Sequence, residues 1–251
     1  MKPISIVALS NDNYAVHLAT MLLSLFENKL TETNYQIYII DGNLSIDNKS
    51  KINSLLQNYN TSPIYLNVDP SIYKHFKGWG HVSREAFYRI SIPDLLDKRI
   101  KKAIYLDSDL IIKGDLRELW ENEHLENHFL GAVEDPVDFS GIRLPNGYKY
   151  FNSGVLLMNL KKWRKYKISN KVLNFINKNP KKIIWWDQDA LNAILYNKWI
   201  PLDYKWNYQV FRMGHLNISP IIIHFNTDVK PWNGETYLKE EYYYYRDRLD
   251  W

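Results

Sequence analysis

Residues 2–29, KPISIVALSNDNYAVHLATMLLSLFENK, change hydrophobic period within thirty positions. Ile4 to Leu9 is a short apolar run broken by Ser5. From Ala15 onward the apolar positions recur at Ala15, Leu18, Ala19, Leu22, Leu23 and Phe26, which is helical spacing over three turns. The chain therefore opens strand, loop, helix. The same alternation continues outward: Gln36 to Ile40 reads as a strand ending at Asp41-Gly42, Asp47 to Asn58 as a helix, and Ile64 to Val68 as a strand before Asp69-Pro70. Val82 to Ile92 reads as a helix, Ala103 to Leu106, Phe129 to Val133 and Gly154 to Met158 as strands, Asp189 to Leu195 as a helix, and Ile221 to His224 as the last strand. Strands alternating with helices predict an α/β fold with a mainly parallel central sheet flanked by helices. Such sheets bind ligands beyond the carboxyl ends of their strands, so the polar segments after Leu9 and Leu106 are where a site is expected.

The bulk properties fit a folded enzyme-sized unit. At 251 residues one domain spanning 1–251 is expected. The tail from about residue 233 carries Tyr242 to Tyr245, Arg246 and Arg248; packing of a final helix is the favoured reading, and peripheral contact with the inner face of a membrane the alternative. Hydrophobic residues make up 45% and charged residues 24%, far from a disordered composition. The net charge of +4 comes from Lys and Asp/Glu interleaved along the chain, which suits a phosphate-bearing small ligand better than a nucleic acid. With no cysteine, disulfides, thiolate metal sites and a cysteine nucleophile are excluded, and a cytoplasmic location fits. The apolar run at Ile4 is shorter than a signal-peptide core of about 7–15 residues, and no stretch approaches the roughly 20 apolar residues of a membrane span. The loop from Glu134 to Tyr150, with Pro136, Gly141, Pro145 and Gly147, is long enough to be functional.

The strongest chemical feature is Tyr105 to Leu119, YLDSDLIIKGDLREL, where a predicted strand delivers Asp107 and Asp109 with one residue between them. Two carboxylates so spaced can turn toward one hard cation, which could bridge to ligand phosphates and act as a Lewis acid on a departing one. Alone the pair is a weak signal, because short acidic pairs also cap helices or sit solvated on loops. Far along the chain His224 ends an apolar run and Lys230 follows six residues later in VKPW; an imidazole could complete a cation's shell and a lysine could neutralise a phosphate oxygen.

Taken together with NDNYAVHL (11–18), FNSGVLLMNLKKW (151–163), WWDQDALNAIL (185–195) and IHFNTDVKPW (223–232), the arrangement resembles glycosyltransferase family 8, whose members retain the anomeric configuration of the transferred sugar. That resemblance implies a GT-A type nucleotide-diphospho-sugar transferase fold, a UDP-sugar donor carrying galactose or glucose, and a divalent cation, Mn2+ with Mg2+ as the alternative. By position it implies Asp107, Asp109 and His224 as metal ligands; Leu9, Asn11, Asn13, Asp107, Ser108 and Lys230 at the nucleotide; Arg89, Asn152, Gly154, Asp187 and Gln188 at the donor sugar; Asp187 and Gln188 as the catalytic pair, Gln188 beneath the anomeric carbon; and His81 and Asp135 toward the acceptor. Asparagine stands at 11 where a galactosyltransferase of the family has aspartate, but an amide oxygen can also accept from the uracil N3–H. The bland readings are an i,i+4 pair of Arg89 with Glu85, a turn at 152–154, and ordinary first-turn polarity at 187–188.

The implied reaction is front-face transfer to a glycan, lipid-linked glycan or glycoprotein acceptor, since an amide such as Gln188 is a poor nucleophile. Two other classes compete. A sugar-nucleotide pyrophosphorylase would carry a glycine-rich N-terminal loop, whereas this one reads ALSNDNYA. A non-catalytic carbohydrate-binding protein would use some of the 9 Trp and 19 Tyr for stacking, but has no need of acidic pair, histidine and lysine in this order.

Overall fold

The computed structural model describes residues 2–76, 84–136, 140–214 and 216–251. The strands are β1 (Ile4–Ser10), β2 (Tyr35–Asp41), β3 (Ile64–Asn67), β4 (Lys102–Leu106), β5 (Leu110–Ile112), β6 (Leu130–Ala132), β7 (Val155–Asn159), β8 (Trp199–Pro201), β9 (Tyr208–Gln209) and β10 (Ile222–His224). The α-helices are α1 (Ala15–Glu27), α2 (Ile46–Gln57), α3 (Ile92–Leu95), α4 (Arg117–Trp120), α5 (Leu160–Lys165), α6 (Ile168–Lys178), α7 (Trp186–Leu195), α8 (Val210–Met213) and α9 (Lys239–Arg246).

Among the described residues the strands form a seven-stranded sheet in the order β3-β2-β1-β4-β7-β6-β8 and a three-stranded sheet in the order β5-β10-β9. In the large sheet β1 pairs in parallel with β2 and β4, β2 with β3, and β6 with β8, while β7 runs against both β4 and β6. At its centre the sheet is covered on both faces, which is why β1 and β4 are mostly apolar, Ser5, Ser10 and Lys102 excepted. Ile4, Ile6 and Ala8 of β1, with Ile104 and Leu106 of β4, meet Leu18 and Leu22 of α1 and Ile52 and Leu56 of α2 on one face. Val7, Ala103 and Tyr105 point the other way, toward Trp163 of α5, Val172 of α6 and Leu191 of α7.

Two departures from the expected elements bear on the site. The segment read as a helix over 82–92 is a 3-10 helix at Arg84–Ser91 leading into α3; residues 82 and 83 lie outside the described residues. Arg84 to Ala86 are half-buried and Phe87 to Ser91 buried, so the second half of this tightly wound segment packs into the core. The second sheet was not anticipated. β5 follows Asp109 directly and pairs antiparallel with β10, bringing Leu110 opposite His224. Strand pairing thus closes the separation in sequence between the acidic pair and the histidine.

The tail folds back as α9 against α1. Tyr242 and Tyr245 are buried; the Tyr242 hydroxyl lies 2.7 Å from His17 Nδ1, and Asn28 Nδ2 donates to the Tyr245 hydroxyl at 2.7 Å. Tyr244, 60% exposed, faces solvent. Among the described residues no helix is long and apolar enough to cross a membrane.

Candidate active site

A cavity of about 740 Å³ opens beyond the carboxyl ends of β1 and β4. β7 runs the opposite way, so its beginning meets the same edge, and three loops converge there. Asp107 N–H donates to Gly154 O (2.9 Å), Ser108 Oγ donates to Leu9 O (2.6 Å), and Phe225 N–H donates to Asp109 O (3.1 Å).

Asp107, Asp109 and His224 each turn one ligand atom into a space where those atoms lie within 4.8 Å of one another. His224 Nε2 is 3.3 Å from Asp109 Oδ1 and 3.9 Å from Asp107 Oδ2. Its Nδ1 is turned away, 2.8 Å from Asn207 Oδ1. The donor set of two carboxylate oxygens and one imidazole nitrogen fits Mn2+ or Mg2+ with coordination positions left for other ligands. Gly154 makes the convergence sterically possible: a Cβ there would lie 2.2 Å from His224 Cε1 and 2.8 Å from Asp107 Oδ2. What approaches this glycine closely is thus the pair of side chains His224 and Asp107.

Cations flank the cluster on both sides. Lys230, 4% exposed, donates to Asp109 Oδ2 (2.6 Å) and Phe225 O (2.5 Å). Burial alone would raise the Asp109 pKa, but the Lys230 ammonium and the His224 ring outweigh it and hold that carboxyl well below its ordinary range. Arg89 leaves its own turn to reach Asp107 Oδ1 through Nη2 (3.1 Å) and Ser153 O through Nη1 (2.8 Å), and its guanidinium lies 4.7 Å above the Tyr105 ring. Arg89 Nε lies 3.2 Å from Asp187 Oδ2, close enough for an ion pair though not aligned as a hydrogen bond. Burial would lower the Arg89 pKa, but Asp107 and Asp187 together carry it above its ordinary value.

Asp187 and Gln188 lie in the first turn of α7, and their side chains reach other elements. Gln188 Oε1 accepts from Ser153 N–H (2.9 Å) while Nε2 donates to Asp135 Oδ2 (3.0 Å), so its amide is oriented from both ends. Asp187 is 3% exposed, and burial raises its pKa to about 6 despite Arg89. Both side chains hang from a strained corner: Trp186 has a left-handed φ of 46°, a conformation costing about 1–2 kcal/mol for a non-glycine residue. Asp189 pins that corner, accepting from Ile184 N–H (2.7 Å) and Trp185 N–H (2.8 Å) with one oxygen and from the Tyr150 hydroxyl (2.8 Å) with the other.

The remaining expected residues divide. Leu9, Asn11, Ser108, Asn152 and Asp135 line the cavity. Asn11 Oδ1 also accepts from Tyr14 N–H (3.2 Å), capping the turn that leads into α1. Asn13 is exposed on the same turn and is not among the described residues lining the cavity. Asn152 spends its amide inside the protein: Oδ1 accepts from Gly154 N–H (2.9 Å) and Asn207 Nδ2 (2.9 Å), and Nδ2 donates to Asp135 Oδ2 (3.2 Å). Arg212 Nε lies 2.9 Å from Asp135 Oδ1, an ion pair without hydrogen-bond alignment. His81 lies outside the described residues. Sequence reasoning missed Asn207, Ser153, Tyr105 and the Asp189–Tyr150 contact. Tyr105, whose hydroxyl donates to Asp107 Oδ1 (2.6 Å), could have been flagged by its place two residues before the acidic pair; Asn207 sits in KWNYQ with no motif around it.

Two substitutions probe this arrangement. A carboxyl with raised folded pKa binds more protons folded than unfolded, so the fold loses stability as pH rises from about 4 to about 6 and carries the full cost above that. Asp187→Asn should therefore be more stable than wild type at about pH 7.5, by roughly 1–3 kcal/mol, with the gap closing near pH 4 in urea denaturation. Gly154→Ala should push His224 off the cluster, weakening Mn2+ binding in an electron-spin-resonance titration at least about tenfold and lowering stability by about 1–3 kcal/mol.

The family model described as Glycosyl transferase family 8 matches residues 5–236. General stress protein A of Bacillus subtilis (strain 168) is 36% identical over 98% of this chain and 94% of its own length. A putative glycosyltransferase of Haemophilus influenzae is 32% identical over 81% of this chain and 63% of its own length. Among solved structures, the galactosyltransferase LgtC in complex with donor and acceptor sugar analogs superposes with a TM-score of 0.89 at 22% identity, covering 99% of this chain and 97% of LgtC. The α/β architecture with its mainly parallel sheet is thus of the GT-A type, and with the match extending over nearly the whole sequence, the chain belongs to glycosyl transferase family 8.

Proposed function

We propose that the protein is a metal-dependent retaining hexosyltransferase that moves galactose or glucose from a UDP-sugar to a hydroxyl of a glycan, lipid-linked glycan or glycoprotein. The observation that carries this reading is the meeting of Asp107, Asp109 and His224 beside Lys230 and Arg89, at the floor of a cavity that also holds Asp187 and Gln188. Anionic ligand atoms flanked by buried cations suit a metal-bound diphosphate, whose charge both the ion and the lysine can balance. Bound at the Asp107–Asp109–His224 cluster, Mn2+, with Mg2+ as the alternative, supplies Lewis acidity toward the departing diphosphate.

The chain's own groups have separable tasks. Lys230 is a compact cation at the cluster's edge, able to exchange its Asp109 contact for a phosphate oxygen. The segment carrying it is braced from behind, because Trp232 stacks on His17 with ring centroids 3.5 Å apart. Burial lowers the His17 pKa to about 4, so this ring packs as a neutral group. Arg89 and Asp187 form a rigid pair suited to holding donor-sugar hydroxyls. Gln188 presents a fixed amide dipole that can stabilise positive charge at the anomeric carbon without forming a bond to it. In front-face transfer the anomeric carbon–oxygen bond to UDP breaks, the acceptor oxygen bonds to the same face, and a leaving phosphate oxygen takes the acceptor proton. Asn11 and Ser108, on adjoining loops, border the uridine end, and Asp135 lies toward the acceptor.

In a thermal-shift panel, UDP-sugars with Mn2+ should raise Tm for wild type and leave Asp109→Asn unmoved, since a ligand stabilises only the state that binds it; an equal shift in excess chelator would refute the metal dependence. Gln188→Ala should lower kcat by about 10²–10³ while UDP affinity stays within a few-fold, measured by steady-state kinetics and calorimetry. Formation of a nucleotide sugar from sugar phosphate and UTP would instead point to a pyrophosphorylase.

A further inference from the structure

We infer that Asn207 is a positioning residue that fixes the tautomer and ring direction of His224, so that Nε2 carries a lone pair toward the Asp107–Asp109 cluster. The inference rests on the reading of that cluster as a cation site and extends it to a residue that touches neither cation nor substrate.

A chain of buried amides, each held in one orientation, connects Gly154 to His224. Gly154 N–H can only donate, and it lies 2.9 Å from Asn152 Oδ1, so that atom of Asn152 is the oxygen. The other end of the Asn152 amide faces the Asp135 carboxylate, an acceptor, at 3.2 Å, which fixes the same orientation independently. Asn207 then approaches Asn152 Oδ1 at 2.9 Å and must present its NH2 group there. Its oxygen is left facing His224 Nδ1 at 2.8 Å. An amide oxygen only accepts, so the proton of the neutral ring belongs on Nδ1, and Nε2 is the unprotonated nitrogen facing Asp109 Oδ1 and Asp107 Oδ2. Asn207 is 0% exposed and His224 2%, so water does not substitute freely for either partner.

Fold topology holds the relay in register. Asn207 directly precedes β9, which pairs in parallel with β10 so that Tyr208 lies opposite Ile223 and Gln209 opposite His224. Gly154, at the other end of the relay, is hydrogen-bonded through its carbonyl to Asp107 N–H. The same short segment thus anchors the tautomer of one ligand and the backbone of another. A ligating histidine whose second nitrogen is held by an acceptor is a recurring feature of metal sites, and loss of the acceptor typically costs 10–100-fold in metal affinity or activity.

The test uses the full chain labelled with 15N-histidine, free of metal, at a pH well above the ordinary histidine range, with the His224 signals identified by their loss in His224→Gln. Long-range 15N–1H spectra should show His224 protonated on Nδ1 and bare on Nε2. Asn207→Leu, which matches the side chain in size and removes both hydrogen bonds, should abolish that pattern and weaken Mn2+ binding about 10–100-fold in an electron-spin-resonance titration with UDP present. Asn207→Asp keeps an acceptor for Nδ1–H while losing the link to Asn152. It should retain the Nδ1–H pattern and bind Mn2+ within about threefold of wild type, and it supplies the comparison if the leucine variant does not fold. Wild-type His224 protonated on Nε2, or an unchanged pattern in Asn207→Leu, would overturn the inference. An Nδ1–H pattern in a wild-type protein that binds no Mn2+ would overturn the cation-site reading, and with it the purpose assigned to Asn207.

Discussion

Two half-buried carboxylates beside a buried imidazole concentrate negative charge at the floor of a cavity, and the surrounding structure is arranged to hold that charge in place. Arg89 answers Asp107, and Lys230 answers Asp109. Such pairs do not by themselves stabilise a fold, because the cost of desolvation can exceed the attraction. They make the corner tolerable in the free protein while keeping its cations within reach of a phosphate. The absence of a side chain at Gly154 serves the same end, since a Cβ there would collide with His224 and Asp107, and the reversed direction of β7 brings that glycine, just before the strand's start, to the edge where Asp107 lies.

The Asp187 corner follows a related logic. Its carboxyl is buried deeply enough to be pushed toward neutrality, and the preceding Trp186 adopts a backbone conformation that favours glycine. Neither feature helps the protein fold. Both persist because Asp189, Tyr150 and Arg89 over-determine the local geometry. Strain and unfavourable burial gathered at one functional turn, with hydrogen bonds compensating beside it, is the pattern expected where stability has been traded for placement.

Much of this was legible in the sequence, for physical reasons that differ by element. β1 and α1 announce themselves because burial leaves a pattern, a short apolar run for a strand covered on both faces and apolar positions recurring near 3.6 for the helix. The pair Asp107–Asp109 could be read because its spacing after a strand carries chemical meaning on its own. His224 and Lys230 could be joined to that pair through the family's order of motifs, but not through local pattern, because the pairing of β5 with β10 that unites them leaves no trace in a three-residue strand. The 84–91 segment reads as a helix and is one, but its 3-10 winding is not legible, because the burial of Phe87 to Ser91 is set by neighbours distant in sequence. Asn152, expected at the donor sugar, lines the cavity, and its amide also binds Gly154, Asn207 and Asp135, partners that no local pattern announces. Asn207 could not be found at all: an asparagine's role is set by which partners fix its two ends, and those lie at positions 152 and 224.

The order of these parts along the chain has a consequence for how the protein is made. As a ribosome extends the polypeptide, β1 to β4, β7 and the helices covering them emerge before β9, β10, Lys230 and α9, all of which follow residue 207. Until that last stretch appears, Asp109 has neither the lysine nor the imidazole beside it, and His17 lacks the aromatic rings of Trp232 and Tyr242 that enclose it. The corner meant for chemistry therefore stays open until the stretch after residue 207 has emerged, and ligand-binding competence has to wait for it.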